Sequence, residues 1–106
     1  MLDGAMTTCD RLGDQWGMAF ILRTRGELHL AAGRLAEAEA DLTDSIARWV
    51  ALDVPLWRAR SERDLATLRA AQGDLATAAA LRSSAMETFR AYRAREYSEL
   101  ALTGVL

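Results

Sequence analysis

The feature that most constrains this chain of 106 residues is an internal repeat with a period of 40 residues. The segment Gly33–Ala38 reads GRLAEA, and Gly73–Ala78, 40 residues later, reads GDLATA. The same offset relates further identical pairs: Leu12 and Leu52, Ala19 and Ala59, Arg23 and Arg63, Leu28 and Leu68, and Ala31 and Ala71. Because similar units recur in phase, we expect an array of like units rather than one irregular core.

The composition predicts that these units are helical. Ala and Leu, both strong helix formers, number 21 and 16, whereas Ile and Val, which favour strands, number two and three. Gly33 and Gly73 stand where a left-handed residue ends a helix, and Pro55 fits a first helical turn. The pattern predicts an all-α fold of antiparallel helical hairpins. The helices are expected at 2–12, 15–32, 35–52, 56–72 and 75–97.

Each predicted helix carries an inward stripe at helical spacing. In the first unit, the first helix has its stripe at Trp16, Ala19, Leu22, Gly26 and His29, widened by Ile21, Leu28 and Ala32. The second helix has its stripe at Ala38, Leu42, Ser45, Ile46 and Trp49. We expect Ala38 and its equivalent Ala78 to be buried where two helices approach closely.

The small and apolar positions Gly26, Gly33, Ala38 and Leu42 resemble the pattern of tetratricopeptide (TPR) repeats. The junction LGDQWGMA over 12–19 is similar to TPR arrays with a period near 40 at the C-termini of bacterial AfsR-like, MalT-like and LuxR-type regulators. This resemblance implies a short right-handed α-α superhelix. It also implies one domain over 1–106, with a half repeat at 1–13, repeats at 14–53 and 54–92, and a cap or tail at 93–106.

Nothing in the sequence points to catalysis, a cofactor or a metal. His29 and Cys9 are the only residues of their types, and we interpret them as a hydrogen-bonded residue of the inner stripe and a small core residue. The nearest acids, Glu27 and Asp41, do not share the His29 face at the i+3 or i+4 spacing. Four acids near the start of the third helix are expected to form a solvated outer face that favours the helix dipole: Glu37, Glu39, Asp41 and Asp44.

Charge and hydropathy narrow the choice of partner. The net charge is −2, with 13 Arg and no Lys, so no basic patch for nucleic acid is expected. No apolar run reaches the roughly 20 residues that span a bilayer, and the N-terminus lacks the features of a signal peptide. We therefore expect a cytoplasmic protein that contacts neither nucleic acid nor membrane.

The TPR resemblance also implies a concave groove lined by the first helix of each hairpin. Its residues would be Phe20, Arg23, Thr24, Glu27 and Leu30 from one unit, and Arg60, Arg63, Asp64, Thr67 and Ala70 from the next. Guanidinium groups there suit a carboxylate ligand. The chain has no Lys or Asn, so the carboxylate clamp of chaperone-binding members is not expected. The alternative is that these arginines only pair with Glu27, Glu62 and Asp64 on a solvated face.

These observations favour a non-enzymatic protein–protein interaction module, binding a protein, a peptide or another domain of a parent regulator. Two alternatives remain open: a self-association domain and a small-molecule sensor that uses the groove. A homodimer through a terminal helix is expected, because both ends carry apolar stripes: Leu2, Ala5, Met6, Cys9 and Leu12, and Phe89, Tyr92, Tyr97, Leu100 and Leu102. Alternatively, Arg82, Arg90 and Arg93 make the last helix its own cap.

Overall fold

The computed structural model describes residues 2–92, which form five α-helices and, over that range, no strand. The helices are α1 (Leu2–Leu12), α2 (Gln15–Ala31), α3 (Leu35–Leu52), α4 (Pro55–Ala71) and α5 (Leu75–Ala91). The all-α prediction is confirmed, and the predicted bounds of the first four helices differ by at most one residue. The expectations for 93–106, including the extension of the last helix to 97, lie outside the described residues.

The two hairpin turns have the same backbone geometry. Gly33 and Gly73 both adopt positive φ, at 77° and 84°, a conformation that costs glycine little. In each turn the N–H after the glycine donates to the carbonyl five residues earlier, at 2.8 and 2.9 Å. These bonds satisfy carbonyls at the helix end and set the next helix antiparallel to the first.

The two junctions between hairpins also match each other. The Asp14 N–H donates to the Cys9 carbonyl at 2.8 Å, and the equivalent Val54 N–H donates to the Trp49 carbonyl at 3.0 Å. Both junctions need a left-handed residue, which is Gly13 in the first and Asp53, with φ 56°, in the second. Asp tolerates this conformation better than most residues, so the period of 40 survives a Gly-to-Asp replacement.

Packing runs between neighbours along the chain. The α2–α3 and α4–α5 pairs form the two hairpins, α4 also packs on α3 and touches α2, and α1 packs on α2. One core cluster joins the hairpins through Ala38, Leu42, Leu65 and Leu68, and a second comprises Ala59, Ala85 and Phe89. This arrangement is compatible with a helical repeat.

The closest helix approach in the first hairpin occurs at Gly26. A Cβ atom at this position would lie 2.8 Å from Leu42 Cγ on α3, so the glycine lets the two backbones come together. Ala38 and Ala78 are buried, at 0% and 1% exposure, as the small-residue pattern predicts.

Two residues of the predicted inner stripe are exposed instead. Leu28 is 56% exposed although its equivalent Leu68 is fully buried. Leu68 packs with residues in the early turns of α3, whereas α1 begins at Leu2, the equivalent of Leu42, and has no matching turns to cover Leu28. Trp16 is 51% exposed, because it lies in the first turn of α2, at the end of the hairpin away from the Gly33 turn.

Among the helices of residues 2–92, none combines the length and the apolar character needed to cross a membrane.

Candidate functional site: the α2–α4 face

The seam between α2 and α4 brings together most of the charged groove residues that the sequence suggests. We define the α2–α4 face as Phe20, Arg23 and Glu27 of α2, and Trp57, Arg60 and Asp64 of α4. The Phe20 and Trp57 rings meet edge to face, with centroids 5.4 Å apart and planes at 65°, a favoured geometry for aromatic pairs. Phe20 is still 49% exposed, so the face presents apolar aromatic surface to solvent.

Arg23 connects the two helices at the centre of this face. Its Nε donates to Asp64 Oδ2 at 2.9 Å, and its Nη2 lies 3.7 Å from Glu27 Oε2. The Arg23 and Asp64 side chains are only 15% and 14% exposed, so water screens this pair less than a surface ion pair. The ion pair therefore orients both side chains across the seam.

Two guanidinium groups lie against the Trp57 ring. The Arg60 Cζ is 4.6 Å from its centroid and the Arg23 Cζ is 5.8 Å away, both within cation–π range. The groove set inferred from the TPR resemblance omits Trp57. The signal for it in the sequence is the spacing of Trp57 and Arg60, three residues apart and therefore on one side of the same helix.

The remaining groove candidates have other contacts. The Arg63 guanidinium lies 5.8 Å from the Phe89 ring of α5. The Thr24 and Thr67 hydroxyls donate to carbonyls four residues earlier in their own helices, at 3.1 and 3.3 Å. Leu30 is half-buried and packs against the first core cluster. The contacts within the face therefore centre on Trp57 and Arg23 rather than on the full predicted set.

Glu27 and Asp64 form a carboxyl pair within the face, where their side chains hydrogen-bond to each other. Burial raises the pKa of Glu27, and the charge of Asp64 raises it further against the opposing effect of Arg23 and Arg63. Burial also raises the pKa of Asp64, although Arg23 and Arg63 favour its ionised form. Both carboxyls therefore hold a proton at higher pH than exposed ones do.

Aromatic rings extend the face toward the end of the domain. Trp57 stacks on Trp49, with centroids 5.9 Å apart and planes at 25°, and Trp49 meets Trp16 edge to face at 5.1 Å. Trp49 is fully buried, and its Nε1 has no hydrogen-bond partner among residues 2–92. A row of four rings thus runs from exposed Phe20 through the core to exposed Trp16.

A second polar cluster joins α1, α2 and α3, and it corrects the expected acidic outer face. Asp41 is only 6% exposed, and its two oxygens accept from Arg25 Nε and Nη2 at 2.7 and 2.8 Å. Arg25 also bonds Asp3 of α1 at 2.8 Å, and the Asp41 hydrogen bond raises the Arg25 pKa. Asp41 adjoins the Leu42 stripe and faces α2, which the outward assignment overlooked.

His29 belongs to this cluster. Its Nδ1 accepts from Arg34 Nε at 2.9 Å and its Nε2 lies 3.7 Å from Asp41, so the antiparallel hairpin supplies the acid that helical spacing within α2 does not. The half-buried Cys9 thiol lies 3.8 Å from the Asp14 carboxylate, and burial, reinforced by that charge, raises its pKa. Within residues 2–92, no three His, Cys, Asp or Glu residues are placed to hold a metal ion.

Taken together, the face offers exposed aromatic surface and oriented guanidinium groups, which are means of recognition. The described cavity lies elsewhere, as an open depression on the outer side of α3 lined by Ala36, Glu39, Ala40, Thr43, Asp44 and Ala47. The fold and the face define an all-α domain of paired helices with an aromatic and arginine-rich surface. Comparison with protein families, curated proteins and solved structures finds no match to the chain.

Proposed function

We propose that this chain is a non-enzymatic protein–protein interaction module whose α2–α4 face binds a protein segment, either from a partner or from another domain of a parent protein. We further propose that it is a TPR-type array of the kind found in bacterial regulators. The matching turns, the junctions repeated after 40 residues and the small residues at helix contacts support that assignment.

The observation that carries the binding proposal is the Phe20–Trp57 pair flanked by Arg23 and Arg60. Trp and Arg dominate the residues that contribute most to protein–protein affinity, and aromatic residues and Arg are enriched at interfaces. Here the ion pair to Asp64 and the Trp57 ring orient the guanidinium groups before any partner arrives. Orienting side chains beforehand lowers the entropic cost of association.

A random-peptide display screen tests this proposal without knowledge of the partner. The immobilised chain is expected to enrich peptides that Phe20→Ala and Arg60→Glu lose, as measured by calorimetry on the synthesised peptides. The matched controls are Val50→Ala and Arg82→Glu, which change exposed residues of α3 and α5. Enriched peptides that bind all four variants equally would show that the α2–α4 face is not the binding site.

Self-association is the second candidate, favoured by the packing of the terminal helices. Among the described elements, α1 packs only on α2 and α5 only on α4. Leu75 and Tyr92, at the two ends of α5, are 68% and 56% exposed. Light scattering at high micromolar concentration is expected to give a dimer that buries more than ~1,000 Å² in total. A monomer at that concentration refutes this candidate. The apolar residues Tyr97, Leu100 and Leu102 lie outside the described residues.

A further inference from the structure

The Glu27–Asp64 pair lies at the centre of the surface proposed to bind a partner. An ionised carboxylate can only accept hydrogen bonds, so a hydrogen bond between the two carboxyls requires that one of them is protonated. The Asp64 side chain is 14% exposed and bound by Arg23 at 2.9 Å, whereas the Glu27 side chain is 44% exposed. The contacts place the negative charge on Asp64 and the shared proton on Glu27.

The groups that face the pair come from α2 and α4. Arg23 contacts both carboxyls from α2, and the charge of Arg63 acts on both from α4. The neighbouring acids of α3 are engaged elsewhere, Asp41 by Arg25 and Glu39 by Arg69. The charged residues of α5 within the described range are exposed: Arg82, Glu87 and Arg90. Ionisation of Glu27 therefore places a second negative charge beside Asp64 on an otherwise arginine-rich surface.

We propose that proton uptake by the Glu27–Asp64 pair regulates the α2–α4 face, so that an anionic partner binds more tightly in mildly acidic solution than in neutral solution. This inference rests on the proposed function of the face. Protonation of Glu27 removes a negative charge that repels the partner and makes the face one unit more positive. It also locks α2 to α4 by a hydrogen bond between the two carboxyls.

Linkage sets the size of the effect. Because a bound anion favours the protonated pair and protonation favours the anion by the same factor, binding is expected to tighten by about three- to tenfold. A tenfold change corresponds to a shift of one pH unit in the midpoint of Glu27. The change is expected between about pH 7.5 and pH 5, above the ordinary Glu value near 4.3.

Calorimetry at these two pH values tests the proposal with a synthetic peptide that contains cysteic acid and Phe. Its sulfonates stay ionised throughout, so only the protein titrates. We expect the wild type to bind more tightly at about pH 5 than at about pH 7.5. Glu27→Gln, which mimics protonated Glu27, should bind tightly at both pH values. Glu37→Gln makes the same charge change at an exposed position of α3 and should retain the wild-type dependence.

Carbon-13 NMR of the side-chain carboxyls provides a readout that does not depend on binding. The Glu27 midpoint should lie above that of Glu in an unstructured peptide, and Asp64→Asn should lower it. Peptide binding that is equal at both pH values in the wild type and in Glu27→Gln overturns the regulation but leaves the proposed function standing. Binding by none of the proteins at either pH overturns both, and an ordinary Glu27 midpoint overturns the regulation alone.

Discussion

Replacing Gly26 by Ala is the most direct probe of how closely α2 and α3 pack. In an open helix, Gly→Ala stabilises by about 0.5–1 kcal/mol, because Gly loses more backbone entropy on folding. At position 26, however, the new Cβ would lie 2.8 and 2.9 Å from Leu42 Cγ and Cδ2 and 3.4 Å from Asp41 Cβ. Overpacking of this kind costs about 1–3 kcal/mol, so we expect Gly26→Ala to destabilise the domain by about 1 kcal/mol.

The same change should become favourable once Leu42 is shortened. Leu42→Ala alone is expected to cost about 2–5 kcal/mol, since it removes a fully buried side chain and leaves a cavity. In that background the Cβ at position 26 meets open space, and Gly26→Ala should recover about 1 kcal/mol. The double-mutant cycle therefore predicts a coupling free energy of about 2 kcal/mol, within the range for residues in contact.

Urea denaturation followed by far-UV circular dichroism measures all four free energies of unfolding. Gly4→Ala is the matched control, because Gly4 lies in α1 and a Cβ there has no neighbour within 4 Å. That substitution should show the helix-propensity gain alone. If Gly26→Ala stabilises the wild type as much as Gly4→Ala does, the reasoning about close helix approach is wrong.

Three further predictions concern other parts of the domain. Ala38→Leu should lower the free energy of unfolding by about 1–3 kcal/mol, while Ala40→Leu, on the exposed side of the same helix, should lie within about 0.5 kcal/mol of wild type; equal denaturation curves would refute this assignment. Arg25→Met should cost about 2–3 kcal/mol by leaving the Asp41 carboxylate without its main partner, and adding Asp41→Leu should restore most of that loss in the same assay. The Asp74 pKa is lowered by its side-chain and backbone hydrogen bonds to the first turn of α5, so its stabilising effect is present above the unfolded pKa and is lost as the pH falls through the folded one; Asp74→Ala should therefore destabilise at neutral pH and have less effect at about pH 2.

The repeat explains why so much of the fold is predictable from the sequence. Gly33 and Gly73 mark the hairpin turns, and Ala38 and Ala78 mark close helix contacts, because each position has a local backbone or volume requirement that few residues meet. Pro55 likewise marks the start of α4. These signals repeat in phase, so the second unit supports the interpretation of the first.

The parts of the face that were not predicted depend on contacts between helices distant in sequence. The α2 stripe does not show that Asp41, on α3, turns inward to Arg25. Similarly, the exposure of Leu28 depends on where α1 begins, not on Leu28 itself. Trp57 was recognisable as an aromatic at a junction, but its place between Phe20 and Arg60 requires the α2–α4 seam.

The neighbour-to-neighbour packing has a consequence for how the chain acquires its structure. Since nearly every helix contact joins elements adjacent in sequence, little loop-closure entropy is lost before contacts form, and such topologies fold in microseconds to milliseconds. Opening is then local rather than global, and α1, which packs only on α2, is the element that detaches with the least loss. Amide hydrogens should therefore exchange fastest in α1 and slowest where α3 lies between α2 and α4, so that the seam which supports the aromatic rings is among the last parts of the molecule to open.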